Sequence, residues 1–179
     1  MRIDEAAALI RPAVGGRGET WADLGAGTGT FTRALAALLG PEGRVYAVDR
    51  DAGAVDALQS WAAHLDGRRA DVAPMLADFT QPLALPPLDG ALLANALHFV
   101  PSAAQGDVLA GIAAQLRPGG RLVLAEYDGR RPSRWVPYPV SLPRFRELAA
   151  DIGLGNPRLV GTRPSAFGGT LYAAAAQRR

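Results

Sequence analysis

Asp23-Leu-Gly-Ala-Gly-Thr-Gly29 sets three glycines at alternate positions just behind an acidic residue. Glycine accepts positive φ and carries no Cβ, so such a turn lets a ligand lie against bare backbone, and free amides at a following helix start offer it donors. Further along, Asp49, Asp78 and Asn95 occur singly after apolar stretches, with His98 close behind Asn95. Carboxylates accept hydrogen bonds from hydroxyl and amino groups, and a neutral imidazole can take a proton. The chain has no cysteine, which removes thiolate nucleophiles, disulfides, cysteine-ligated zinc and iron-sulfur clusters. No metal site is expected.

These residues need elements to hold them. Residues 20–22 read as a strand, and Phe31, Leu35, Leu38 and Leu39 recur at helical spacing, so the glycines occupy a strand-to-helix turn. Upstream, an Asp4 cap is expected to open a short helix through Ile10, stopped by Pro12. Residues 44–48 form a second expected strand ending at Asp49; Asp51 then caps a helix whose Val55, Leu58, Ala62 and Leu65 share one face. A third strand, 73–76, ends in Ala77-Asp78-Phe79. The nearly continuous apolar run 88–96 suits a strand covered on both faces. Ser102 and Gln105 read as a capping box for a helix carrying Val108, Leu109, Ile112 and Leu116, after which Pro118-Gly119-Gly120 turns into a fifth strand at 121–125. Prolines 132, 137 and 139 make 126–141 irregular. Phe145, Leu148, Ala149 and Ile152 mark a last helix, and strands at 158–161 and 171–175, with no helix between them, are expected to pair antiparallel at one edge.

Alternating strands and helices imply an α/β domain with a mainly parallel sheet covered on both sides, and 179 residues fit one domain, 1–179. With no run of eighteen apolar residues and no basic segment leading into an apolar core, an unexported, cytoplasmic protein without a membrane partner is expected. Every basic side chain is arginine, but the net charge is only +2 and the arginines are scattered, which argues against a nucleic-acid footprint. In sheets of this type ligands sit at the carboxyl ends of the strands, where strand order reverses. Asp23 and the glycines, Asp49, Asp78 and Asn95 to His98 all fall at such ends. A dinucleotide-binding G-x-G-x-x-G counted from Gly25 would need glycine at position 30, which is Thr30.

Asp23-Leu-Gly-Ala-Gly-Thr-Gly, Val45-Tyr-Ala-Val-Asp49, Ala77-Asp78-Phe79, Asn95-Ala-Leu-His98 and Leu116-Arg-Pro-Gly-Gly-Arg121 resemble, in order, the motifs of class I S-adenosylmethionine-dependent methyltransferases, in particular the small UbiE-like (methyltransferase type 11) group. The resemblance covers essentially the whole chain. It implies a three-layer Rossmann-like fold whose seven-stranded sheet runs 3, 2, 1, 4, 5, 7, 6 with strand seven antiparallel. It also implies S-adenosylmethionine as cofactor and a cofactor set of Asp23, Gly25, Ala26, Gly27, Asp49, Arg50, Asp78, Phe79, Asn95 and Ala96. Asp49 would accept from both ribose hydroxyls, Asp78 and the Phe79 amide would meet the adenine, and Arg50 would cover an adenine face. Gly25, Ala26 and Gly27 would lie against the amino-acid portion, with Asn95 and Ala96 on the sulfonium side.

The implied reaction is methyl transfer by direct displacement to a small molecule, with His98 a candidate general base for a hydroxyl acceptor. The loop 126–141 is the candidate acceptor side, and its Tyr127, Arg130 and Trp135 would suit an aromatic or anionic acceptor. The absence of cysteine sets aside cytosine C5 as acceptor. Asn95 is followed by Ala96-Leu97-His98 rather than Pro-Pro-aromatic, which sets aside adenine and glutamine nitrogens. The alternatives are a non-catalytic S-adenosylmethionine-binding subunit and an NAD-dependent oxidoreductase, the latter disfavoured by Thr30; a homodimer is left open.

Overall fold

Strands apolar on both faces need a helical layer on each side, and the chain supplies one helix after nearly every parallel strand. The computed structural model describes residues 1–155, 157–165 and 168–179. Its strands are β1 (Thr20–Leu24), β2 (Arg44–Asp49), β3 (Asp71–Leu76), β4 (Leu88–Ala94), β5 (Leu116–Asp128), β6 (Arg158–Pro164) and β7 (Thr170–Gln177). The helices are α1 (Ile3–Ile10), α2 (Thr30–Leu39), α3 (Ala52–Ala62), α4 (Gln105–Gln115) and α5 (Leu142–Asp151), with 3-10 turns at Arg11–Ala13 and Leu97–Phe99.

All seven strands form one sheet in the order β3-β2-β1-β4-β5-β7-β6. β7 runs antiparallel to both β5 and β6, and the other pairings are parallel. This is the topology the motifs imply. The chain leaves β1 toward β2 on one side and comes back to β4 on the other, so Asp23 lies opposite both Ala47 and Leu92 at the switch in strand order. Alternation along each strand divides the core. Trp21, Val45, Ala47, Leu92 and Val123 pack with α1, α2 and Leu58 of α3, while Ala22, Leu24, Val48, Leu93 and Leu124 pack with α4 and α5. Gly90 exists for Trp21: a Cβ there would fall 2.3 Å from indole Cε2.

Three sequence expectations need correction. Arg2, not Asp4, caps α1; Asp4 lies within the first turn in an ion pair with Arg2 at 2.7 Å, while Glu5 accepts the Arg2 amide at 2.8 Å. Ser102 and Gln105 form no capping box, because α4 starts at Gln105 with Ala104 as its cap residue. The buried Gln105 amide donates instead to the carbonyls of Val100 (3.2 Å) and Tyr138 (3.3 Å), tying α4 to the far end of the 126–141 segment. Finally, Leu116 leaves the helix and opens β5. Leu116 pairs with Leu88 and Arg121 with Gly90, so Pro118-Gly119-Gly120 is an irregularity inside a longer strand, braced by backbone hydrogen bonds of Gly119 and Gly120 with Arg178.

Candidate active site

The glycine turn is fastened before any ligand arrives. The amides of Gly25 and Ala26 both donate to the Val48 carbonyl, at 2.9 and 3.0 Å. Gly25 has φ +77°, and a Cβ on it would lie 2.6 Å from Ala96 Cβ; at Gly27, φ +51°, a Cβ would meet nothing within 4 Å. The turn is therefore pressed against the end of β4 on one side and open on the other. Asp49 faces that opening. Its Oδ2 accepts the Gly27 amide at 2.7 Å and its Oδ1 the Asp51 amide at 2.9 Å, while Asp51 in turn caps α3 through Ala54. Asp78 Oδ1 accepts both the amide (2.9 Å) and the hydroxyl (2.7 Å) of Thr80. The Thr80 amide, then its hydroxyl, and the charge of Arg50 hold this carboxyl below the usual carboxylate range. Gly25, Ala26, Gly27, Asp49, Arg50, Asp78, Phe79, Asn95 and Ala96 together line one cavity of about 410 Å³.

Asp23 is the member of the expected cofactor set that this wall does not include. Its carboxylate is buried behind the turn, with Oδ2 accepting the Thr32 hydroxyl at 2.6 Å and Oδ1 unpartnered among the described residues. Burial pushes the carboxyl up to about 7; the Thr32 hydroxyl opposes this and the nearby Asp49 charge adds to it. A folded-state value above the ordinary one means that the native state holds this proton more tightly than the unfolded chain does. Stability contributed by protonated Asp23 is thus present in acid and lost as pH rises from the usual carboxylate range to about 7. Unfolding free energies from denaturant titration are expected to fall over that window with a slope of up to about 1.4 kcal/mol per pH unit. Asp23→Asn is expected to flatten the slope, and an undiminished slope in that variant would place its origin elsewhere.

A second cavity, of about 600 Å³, opens beside the first and is lined by Asn95, His98, Phe99, Tyr127, Arg130, Ser133, Trp135 and Val136. Asn95 and Phe99 lie on the walls of both cavities. Asn95 has φ +53°, outside the usual range for a residue with a side chain; its amide donates to the Ala125 carbonyl at 2.8 Å, and its Oδ1 is buried without a partner among the described residues. His98 Nδ1 is 2.7 Å from Glu126 Oε2, and the His98 amide donates to Glu126 Oε1 at 3.2 Å. These side chains are only 3% and 1% exposed. Across the cavity the Arg130 guanidinium lies 5.0 Å from the Tyr127 ring, and Arg134 lies 4.5 Å from the ring of Trp135, which is 70% exposed. A pair of backbone hydrogen bonds between Ser133 and Val136, at 3.0 and 3.2 Å, makes the tight turn that holds Trp135 out.

The structure thus gathers His98, Tyr127, Arg130 and Trp135 at one cavity, adds Phe99 to its wall and sets Glu126 behind His98, two residues that the sequence reading did not single out. Glu126 had a usable signal: it continues the buried alternation of Leu122 and Leu124 along β5. The prolines downstream had placed it at the start of a loop. Among the described residues no group of three or more histidine, aspartate or glutamate side chains is placed to hold a metal ion, and no helix is long and apolar enough to cross a membrane.

The sequence profile of the methyltransferase domain matches residues 22–120, more than half of the chain. The chain belongs to the methyltransferase domain family. Solved structures share its fold. A S-adenosylmethionine-dependent methyltransferase from Aquifex aeolicus superposes with TM-score 0.74 at 17% identity, covering 98% of this chain and 90% of that one. The Burkholderia thailandensis 1,6-didemethyltoxoflavin-N1-methyltransferase, solved with 1,6-didemethyltoxoflavin and S-adenosylhomocysteine, gives 0.75 at 24%, covering 98% and 77%. The magnesium protoporphyrin IX methyltransferase of Synechocystis PCC 6803, with S-adenosylhomocysteine bound, gives 0.75 at 19%, covering 99% and 82%. By sequence, an uncharacterized 37.1 kDa protein of transposon TN4556 from Streptomyces fradiae is 34% identical over 111 residues, covering 62% of this chain and 31% of that protein. The chain spans about a third of the length of that curated relative or less. Within this methyltransferase domain the matched span contains every residue of the first cavity, whereas the wall of the second cavity from Tyr127 to Val136 lies beyond it.

Proposed function

We propose that the protein transfers a methyl group from S-adenosylmethionine, bound in the first cavity, to a small molecule bound in the second. The observation that carries this reading is the shared wall: Asn95 and Phe99 border both cavities, so the cavities adjoin and ligands bound in them would lie side by side at these two residues. The residues present suit the cofactor. Gly27 leaves open space above positive-φ backbone, Asp49 offers carboxylate lone pairs beyond its two amide donors, and Asn95 on the same wall has its Oδ1 without a partner among the described residues. Asp49 and Asp78 on the wall set a negative field beside Arg50, which suits a cationic ligand. When bound, S-adenosylmethionine supplies a methyl group already activated on a positive sulfur.

The chain's own residues then have the tasks of placement. Asp49 would hold the ribose hydroxyls, Asp78 and the Phe79 amide the base, Arg50 one adenine face, and Gly25 to Gly27 the amino-acid end. Alignment of acceptor and methyl carbon supplies several kcal/mol of the barrier, so a methyltransferase can work with few catalytic groups. The order of the motifs supports a place in the UbiE-like group.

Calorimetric titration with S-adenosylmethionine and S-adenosylhomocysteine tests the reading, and saturable binding of both is expected. Thermal stabilisation by NAD and by neither of these ligands would replace it with an oxidoreductase. Trp135→Ala is expected to keep cofactor binding and to raise the acceptor KM roughly 2- to 10-fold, the worth of about 0.5–1.5 kcal/mol of aromatic contact. An unchanged KM would mean that the acceptor does not touch this wall.

A further inference from the structure

We infer that His98 is a general base held by Glu126, and that the acceptor is a phenol-like aromatic hydroxyl; this rests on the methyl-transfer reading above. A carboxylate only accepts hydrogen bonds. Glu126 Oε2, 2.7 Å from Nδ1, can only accept there, so Nδ1 carries a hydrogen and in the neutral ring the lone pair is on Nε2. Glu126 Oε1 takes the His98 amide, so one carboxylate fixes both the backbone and the ring of the same residue. The Tyr138 amide completes the arrangement by donating to the His98 carbonyl at 3.0 Å. His98 borders the second cavity and not the first, which leaves Nε2 to an acceptor rather than to the methyl donor.

A buried imidazole and carboxylate add little stability over an apolar pair of the same size. The polar pair therefore calls for a task at the cavity wall, and the other walls define it. Phe99, Tyr127 and Trp135 present aromatic rings, and Arg130 places a cation over Tyr127. Planar rings suit an aromatic body, and the guanidinium suits an oxygen that becomes negative during reaction. A phenolic hydroxyl keeps its proton near neutral pH, with a value of about 10 for tyrosine, so it profits from a base. The acceptor oxygen gives its proton to His98 Nε2 and a lone pair to the methyl carbon. The carbon–sulfur bond breaks with its electrons staying on sulfur, and the imidazolium later returns the proton to water. Glu126 is a positioning residue in this scheme, since it acts on the acceptor only through the ring it orients.

The test compares acceptors that share the catechol ring and differ in acidity. Wild type, His98→Asn and Glu126→Gln are first titrated with S-adenosylmethionine and melted thermally, then assayed with a labelled methyl donor on a phenol panel that includes catechol and 4-nitrocatechol, the latter already ionised under slightly alkaline assay conditions. Both variants are expected to bind the donor like wild type and to lose roughly 100-fold or more in kcat on catechol, but less than about 10-fold on 4-nitrocatechol, which needs no base. Equal losses on the two acceptors would make the pair a packing feature and overturn the proposal. So would the absence of transfer to every phenol by an enzyme that binds S-adenosylmethionine, which leaves the donor reading standing. Failure of wild type to bind S-adenosylmethionine defeats the proposed function itself.

Discussion

Gly25→Ala is expected to lower S-adenosylmethionine affinity by roughly 100-fold or more. Two costs combine. An L-residue at φ +77° carries about 1–2 kcal/mol of strain, and the new Cβ would stand 2.6 Å from Ala96 Cβ, where neither atom can rotate away. The turn has to lift off the end of β4, taking with it the Gly27 amide that Asp49 holds. The clash and the strain are separable by a double-mutant cycle. Ala96→Gly in the Gly25→Ala background removes the opposing Cβ, so part of the affinity is expected to return. If Ala96→Gly restores none of it while the double variant melts like wild type, close approach to β4 is not what the glycine serves.

The second large effect belongs to Asp49. Asp49→Ala is expected to weaken S-adenosylmethionine binding by roughly 10- to 150-fold, from about 1.5–3 kcal/mol for hydrogen bonds to a charged acceptor. The carboxylate has a double role, because it joins the glycine turn through Gly27 and the start of α3 through Asp51 while facing the cavity. Asp49→Asn separates the roles: it keeps an acceptor oxygen for a backbone amide and drops the charge. An intermediate loss is expected for it by calorimetry. Equal dissociation constants for wild type and Asp49→Ala would remove the ribose role altogether.

The sheet could be read from the residues because apolar runs, glycine stops and polar strand ends repeat in step from β1 to β5, and each marks an interaction within a few residues. The wall of the first cavity was legible for the same reason, since Gly25, Asp49, Asp78 and Asn95 each follow the strand that places them. What escaped depends on distant partners. Gln105 has the spacing of a capping box, yet Val100 and Tyr138 claim its amide. Pro118-Gly119-Gly120 reads as a turn, yet Arg178 braces it within β5. Glu126 meets His98 across 28 residues, a contact that exists only once β4 and β5 are side by side. Asp23 showed its type but not its depth, because burial behind the turn depends on Thr32 of α2 and not on its own neighbours.

The exposed ring of Trp135 also makes the molecule its own optical probe. Trp21 is sealed in the core and Trp61 is half-buried, whereas Trp135 is 70% exposed on the rim of the second cavity under the Arg134 guanidinium. A hydrated indole emits to the red of a buried one, so the emission of Trp135 is expected well to the red of that of Trp21. A molecule settling in the cavity strips water from that ring and shifts the red component alone, so occupancy can be followed by intrinsic fluorescence with unlabelled protein and with compounds that are never turned over.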